Sequence, residues 1–277
     1  MVKLPENPKT LKFQLDSKTT TPRRSVRIGM ASIGDACRRR LWFKFRWASP
    51  LQELPSRVNR IFKFGDMIEE LAVAELTEAG YNITDQQDPV EGFAGHAFGY
   101  TDGLIHNVPE APKTPHLFEC KSMKASSFRA AVKRNDVRVS EPKHYAQMQR
   151  YMHAKGLTRA LYFVVCKDTS EVHIERVYYD KGFSEDLVRK EMDIIIATEP
   201  PTKEFIETQF ECKFCDHKDV CHRGARPERN CRTCENVDLE EGGIWRCTLD
   251  GKKLEVEDQL KGCGEYTQLA IGIDWSL

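Results

Sequence analysis

His116-Leu117-Phe118-Glu119-Cys120-Lys121-Ser122-Met123 is the stretch on which the reading of this chain turns. It predicts a short strand. Alternate side chains of a strand share a face, so Glu119 and Lys121 point one way and Cys120 the other. A carboxylate beside an ammonium is by itself an ordinary ion pair. The segment just before it adds weight: 93–108 is strand-like, with glycines at 95, 99 and 103, and carries Asp102 within Gly99-Tyr100-Thr101-Asp102-Gly103. Two carboxylates on neighbouring strands suit Mg²⁺, which prefers hard oxygen ligands and keeps several waters. The backbone carbonyl of Cys120 offers a further oxygen. Such a metal lowers the pKa of a bound water and neutralises a phosphate, and Lys121 is then the group to position that water or stabilise developing charge.

Working outward, 32–45 predicts a helix with Ser32 as N-cap and Asp35 in its first turn. A second helix, 62–79, carries Ile68, Leu71, Ala72, Leu76 and Ala79 at helical spacing and ends at Gly80. After the strand come a helix at 126–134 and another opened by Ser140-Glu141-Pro142 and stopped by Gly156. Gln147 and Tyr151, four apart, share a face of that last helix, although polar pairs at this spacing are common. A hairpin, 161–167 with 172–179, turns at Asp168-Thr169-Ser170. Helix, strands, helices and hairpin in this order predict an α/β fold, a mixed sheet covered by helices. Residues 1–30, polar and rich in Lys, Thr and Pro, read as a flexible arm. Composition shifts near 223–228, after which Cys and Glu dominate.

At 277 residues the chain holds one large domain plus a small appendage. Its longest apolar runs, such as 160–166 and 194–197, fall far short of a membrane span. Met1-Val2-Lys3-Leu4-Pro5 lacks a signal-peptide core, so the cytoplasm (a host's, for a virus-encoded protein) is the expected compartment, with disulfides disfavoured. Forty-two basic and forty-two acidic residues cancel, but local charge does not. Arg23, Arg24, Arg27, Arg38, Arg39, Arg40, Lys44 and Arg46 face only Asp35, and Lys124, Arg129, Lys133, Arg134 and Arg138 face only Asp136. Either cluster reads as a phosphate-neutralising patch or as a solvated helix face. Trp42, Phe43, Phe45 and Trp47, interleaved with the first, read as core.

The ten cysteines sort as four, four and two. Cys120 and Cys166, in apolar strands, are core thiols. Cys212-x2-Cys215-x5-Cys221 has ligand spacing for one centre, and Cys37 completes a quartet suited to either Zn²⁺ or an iron–sulfur cluster. Cys231-x2-Cys234-x12-Cys247-x15-Cys263 forms a second quartet in a tail with little core, which a bound Zn²⁺ would fold. His222 competes as a ligand.

Gly99-x2-Asp102, Glu119-x-Lys121 and Gln147-x3-Tyr151, in this order, resemble the PD-(D/E)XK nuclease superfamily in its RecB-like and lambda-exonuclease-like branch. Tyr145-Ala146-Gln147-Met148-Gln149-Arg150-Tyr151-Met152, followed by an apolar strand, is similar to that branch's last motif. Gly65-x3-Glu69 matches its first. Glu69 shares a helix face with Ala72, Val73 and Leu76 and is preferred over Glu70. Iron–sulfur relatives often carry His there; Glu is the lambda-type residue. The resemblance spans about residues 30–222. It implies a restriction-endonuclease-like mixed central sheet flanked by helices, and catalysis by Glu69, Asp102, Glu119, Lys121, Gln147 and Tyr151. Mg²⁺ or Mn²⁺ is then held by Glu69, Asp102, Glu119 and the Cys120 carbonyl. One early cysteine plus a late C-x2-C-x5-C looks like the structural [4Fe–4S] clamp of RecB-like nucleases of CRISPR and recombination systems, made here of Cys37, Cys212, Cys215 and Cys221.

The expected organisation is an arm at 1–30, a nuclease domain at 31–222 and a four-cysteine zinc tail at 223–277 held by Cys231, Cys234, Cys247 and Cys263. The expected activity is a DNA exonuclease processing ends in recombination, replication or repair. DNA is its partner, with a recombination or replication protein beside it and no membrane. The alternatives are a structure-specific endonuclease and a non-catalytic DNA-binding scaffold with structural metals. A ferredoxin-like electron carrier fits poorly, because the cluster cysteines are split across the chain.

Overall fold

The chain folds around a five-stranded sheet made of Asn82–Thr84 (β4), Gly103–His106 (β7), His116–Met123 (β8), Arg159–Cys166 (β9) and Val172–Tyr178 (β10). The computed structural model describes residues 10–270; residues 1–9 of the expected arm and 271–277 of the expected tail lie outside them. The strand order is β10-β9-β8-β7-β4, with β8 and β9 parallel and every other neighbouring pair antiparallel. The parallel pair is joined by a crossover through helices Ala125–Arg134 (α4), Val137–Ser140 (α5) and Pro142–Lys155 (α6), as parallel neighbours require.

Strand alternation splits the core into two layers. Leu117, Met123, Tyr162 and Val164 pack with Met148, Tyr151 and Met152 of α6 and with Leu187 and Ile194 of Lys181–Ile196 (α7). Phe118, Cys120, Leu161 and Phe163 point the other way, onto Ala72 and Leu76 of the long helix Ser56–Glu78 (α3). The result is a mixed α/β fold with a helical layer on each face of the sheet. A second sheet joins Ile28–Gly29 (β2), Asp88–Glu91 (β5) and Ala97–Thr101 (β6). Among the described residues no helix is long and apolar enough to cross a membrane.

Several expectations are corrected. The described part of the arm is structured: Leu11–Asp16 forms a short helix (α1), Thr19–Thr20 (β1) pairs with Leu54–Pro55 (β3), and β2 pairs in parallel with β6 and buries Ile28. The helix expected from residue 32 begins only at Arg38 (Arg38–Phe45, α2). The chain first turns at Gly34, where a Cβ would stand 2.7 Å from the Cβ of Ala146, and Asp35 accepts the Cys37 N–H at 2.9 Å. Helix α3 starts six residues earlier than expected, and Leu71, one of the apolar residues at helical spacing, is 55% exposed.

The first basic cluster is partly structural. Arg39 and Arg46 are buried, donating to the carbonyls of Pro201 (2.7 Å) and Ala197 (2.9 Å). These bonds tie α2 to the segment 197–201. Trp42, Phe43, Phe45 and Trp47 are all buried.

The tail shares the body's core. After Phe210–Lys213 (α8) and Lys218–His222 (α9), it contains a hairpin, Val237–Glu240 (β11) with Ile244–Cys247 (β12), and Val256–Lys261 (α10). Trp245 is buried against Phe45 and His96, with ring centroids 5.1 and 5.8 Å apart. Arg232, fully buried, donates to Gln259 Oε1 (2.7 Å), Phe45 O (3.0 Å) and Val26 O (2.8 Å) and lies 3.8 Å over the Trp47 ring. A buried guanidinium is tolerable only when its donors find partners in this way.

Candidate active site

Asp102 is the single residue between β6 and β7, where the chain leaves one sheet for the other. Gly103 makes that exit at φ +150°, a backbone conformation L side chains rarely adopt. Asp102 Oδ2 accepts the backbone N–H of Cys120 at 2.9 Å, which pins the carboxylate to β8 beside Glu119 and Lys121.

Lys121 Nζ donates to the carbonyl of Cys120 at 3.1 Å and stands 3.8 Å from Asp102 Oδ2. It also lies against Glu119 Oε1 as an ion pair. The Glu119 carboxylate is completely buried and accepts no other hydrogen bond among the described residues. Burial pushes its carboxyl up to about 7; Lys121 opposes the rise, while Asp102 and Glu69 add to it. Burial works against the Lys121 charge as well, but Glu119 and Asp102 outweigh it and the ammonium is held above its ordinary value.

Glu69 arrives from α3, the helix on the opposite face of the sheet. It is half-buried, whereas Glu70 is exposed. Burial raises its carboxyl and Asp102 raises it further, with Lys121 and Gln87 opposing. Gln87, in a left-handed turn residue at φ +52°, donates to Glu69 Oε1 at 3.1 Å. Glu69, Asp102, Glu119 and Lys121 therefore stand in one electrostatic neighbourhood.

Gln147 and Tyr151 are buried on α6. The Tyr151 phenol is raised by burial, then by Glu119 and Asp102, which places it beside the carboxylates. Gly99 makes room for that ring: a Cβ there would stand 2.9 and 3.0 Å from Tyr151 Cε1 and Cζ. The Gln147 amide makes no hydrogen bond among the described residues.

Three partners of this site are not among the expected site residues. One is Gln87. Another is His144, bonded through Nδ1 to the Tyr162 hydroxyl at 2.6 Å; its position three residues before Gln147 is the signal that would have found it. The third is a buried pair that anchors α6, with Arg150 Nε and Nη2 donating to Glu191 at 2.9 Å each.

As placed, no three His, Cys, Asp or Glu side chains among the described residues are positioned to hold a metal ion. At the carboxylates the Lys121 ammonium lies among the oxygens instead. The donor set still fits a hard cation: two acidic side chains and a carbonyl already surround one positive charge, and Glu119 has oxygens without a hydrogen-bond donor.

Cys37, Cys212, Cys215 and Cys221 line one small cavity with Arg39 and Arg40, bringing the N-cap of α2 to α8 and α9. His222 Nε2 lies 3.5 Å from Cys212 Sγ. In the tail, burial raises the Cys231 thiol to about 11, with Cys234, Cys263 and Cys247 adding to it. Soft thiolates in fours fit zinc or an iron–sulfur cluster.

No protein-family model matches this chain, and no curated protein does. Among solved structures, the chain is similar to an alkaline exonuclease from Laribacter hongkongensis (16% identity, 62% of this chain and 87% of that one, TM-score 0.47). It is similar also to that enzyme in complex with dAMP (17%, 62% and 87%, 0.48) and to SSO0001 (15%, 74% and 89%, 0.45).

Proposed function

We propose that the chain is a Mg²⁺-dependent deoxyribonuclease that hydrolyses phosphodiester bonds from DNA ends, in recombination, replication or repair. The observation that carries this is Lys121 Nζ gathered by the Glu119 carboxylate, the Asp102 carboxylate and the Cys120 carbonyl, with Glu69 in the same field. A cluster of buried acids around one lysine is costly to fold and is of use where a cation and an anionic substrate meet.

In this reading Glu69, Asp102, Glu119 and the Cys120 carbonyl would hold Mg²⁺ or Mn²⁺. A bound divalent ion supplies an activated water and charge neutralisation at the phosphate. Asp102 fixes the height of β8 relative to β7 through its bond to Cys120 N–H. Lys121, kept protonated by its acidic neighbours, orients the attacking water and stabilises charge on the phosphoryl oxygens. Tyr151 and Gln147 wall the site from α6.

Lys124, Arg129, Lys133 and Arg134, on and just before α4, are exposed and make no ion pair among the described residues. They directly follow β8 and suit the phosphates of a bound duplex. We assign Cys37, Cys212, Cys215 and Cys221 to a structural [4Fe–4S] cluster stapling α2 to α8 and α9, and Cys231, Cys234, Cys247 and Cys263 to Zn²⁺.

Incubation with Mg²⁺ and end-labelled linear or circular duplex tests the function. Label lost from linear DNA with circles intact is the expected result. Nicked or opened circles would instead make the protein an endonuclease, and two intact substrates would leave a DNA-binding scaffold.

A further inference from the structure

We propose that His144 is a substrate-binding residue, holding a phosphate oxygen through its Nε2–H at the edge of the site. The proposal rests on the nuclease reading above. On α6, His144, Gln147 and Tyr151 occupy positions i, i+3 and i+7, one stripe of the helix. Tyr162 stands in register beside Glu119 across the parallel pair, on the same face of the sheet. Its hydroxyl meets His144 Nδ1 at 2.6 Å, with the rings 5.8 Å apart. The histidine is therefore tied to the strand pair that carries Glu119.

The pair fixes the tautomer. Tyr162 is fully buried, and burial, reinforced by Glu141 and Glu119, raises its phenol so that it keeps its proton. Burial, then Lys121 and Lys143, pull the His144 ring down to about 4, so it is neutral at pH 7. Tyr162 O–H then donates to Nδ1, and Nε2 carries the remaining ring hydrogen. Nε2 has no hydrogen-bond partner among the described residues, and the His144 side chain is half-buried and not fully enclosed. A preformed neutral donor in the field of Lys121 suits an anionic oxygen. It does not suit protonation of a leaving group, because neutral imidazole holds its last proton too tightly.

The test compares wild type, His144→Ala and His144→Gln by anisotropy of a short fluorescein-labelled DNA strand in Ca²⁺, by KM and kcat in Mg²⁺, and by ¹⁵N resonances of the histidine ring. Loss of a hydrogen bond to a charged oxygen predicts roughly 10- to 100-fold weaker binding and higher KM for His144→Ala, with His144→Gln recovering to within about threefold. The wild-type ring shows the Nε2–H tautomer, and its resonances move on adding DNA. Unchanged binding and KM in His144→Ala, failure of Gln to recover them in a protein of unaltered thermal stability, or a ring blind to DNA overturns the proposal. Wild-type protein that binds DNA through His144 yet cuts nothing upholds this contact and overturns the nuclease reading, so the two failures are distinct.

Discussion

Asp102 Oδ2 and the backbone N–H of Cys120 are joined at 2.9 Å, across the step where the chain passes from the three-stranded to the five-stranded sheet. The bond gives Asp102 two separable jobs, carrying charge and tethering β8. Asp102→Asn keeps an acceptor for the N–H and removes the charge. Asp102→Ala removes both and leaves a buried donor unpaired, costing about 1–3 kcal/mol. Both variants should lose DNA hydrolysis, but denaturant unfolding should find only the alanine protein clearly destabilised. Equal destabilisation of the two would separate the tether from this bond.

Gly99 and Tyr151 are coupled by space. Gly99→Ala puts a Cβ against the Tyr151 ring, and overpacking of this kind costs about 1–3 kcal/mol. Tyr151→Phe removes the hydroxyl end of the clash. The double variant should therefore be more stable than the sum of the two single effects, by at least roughly 0.5 kcal/mol in a thermodynamic cycle. Strict additivity would mean that the glycine serves something other than the tyrosine.

His96 makes the docking of the tail sensitive to acid. Its ring is buried between Phe45 and Trp245, bonds to the Glu240 carbonyl at 2.9 Å, and is pulled down to about 4, mainly by burial. The unfolded chain titrates near 6.5, so between pH 6.5 and 4 it binds the proton that the fold excludes. Stability is thus lost as pH falls through this window and is unaffected above it. His144 and His217, also pulled to about 4 by burial, add to the same slope. Thermal unfolding should show a fall in Tm from pH 6.5 to 4 that is shallower in His96→Phe. An identical slope in the two proteins would remove His96 from the account.

Much of the placement of the candidate site residues was legible because strands and helices have fixed periods. Alternation alone placed Glu119 and Lys121 on one face and Cys120 on the other. A 3.6-residue period separated half-buried Glu69 from exposed Glu70. What stayed hidden depends on tertiary partners. Gln87 reaches Glu69 from a left-handed turn eighteen residues away in sequence. The start of α2 at Arg38 is set by the approach of Gly34 to α6, which no local propensity records. Arg232 lies in the Cys- and Glu-rich tail, yet its donors end on carbonyls of residues 26 and 45. Leu71 follows the apolar pattern of α3, but only Ala72 and Leu76 of that helix are buried against the sheet.

The cysteine quartets carry their own prediction. Cys37, Cys212, Cys215 and Cys221 line a common cavity, so protein purified without oxygen should be brown, and Cys215→Ser should abolish the broad visible absorption. A colourless wild type containing zinc alone would refute the iron–sulfur assignment while leaving the carboxylate site untouched.

The rate at which Lys121→Ala hydrolyses end-labelled linear DNA, measured beside wild type with Mg²⁺ and with EDTA, tests the central claim most directly. Wild type should release label only with the metal, and the variant should fold normally and lose at least about 100-fold in rate, the scale for removing one transition-state charge contact. Lys121→Ala cutting as fast as wild type would contradict the account.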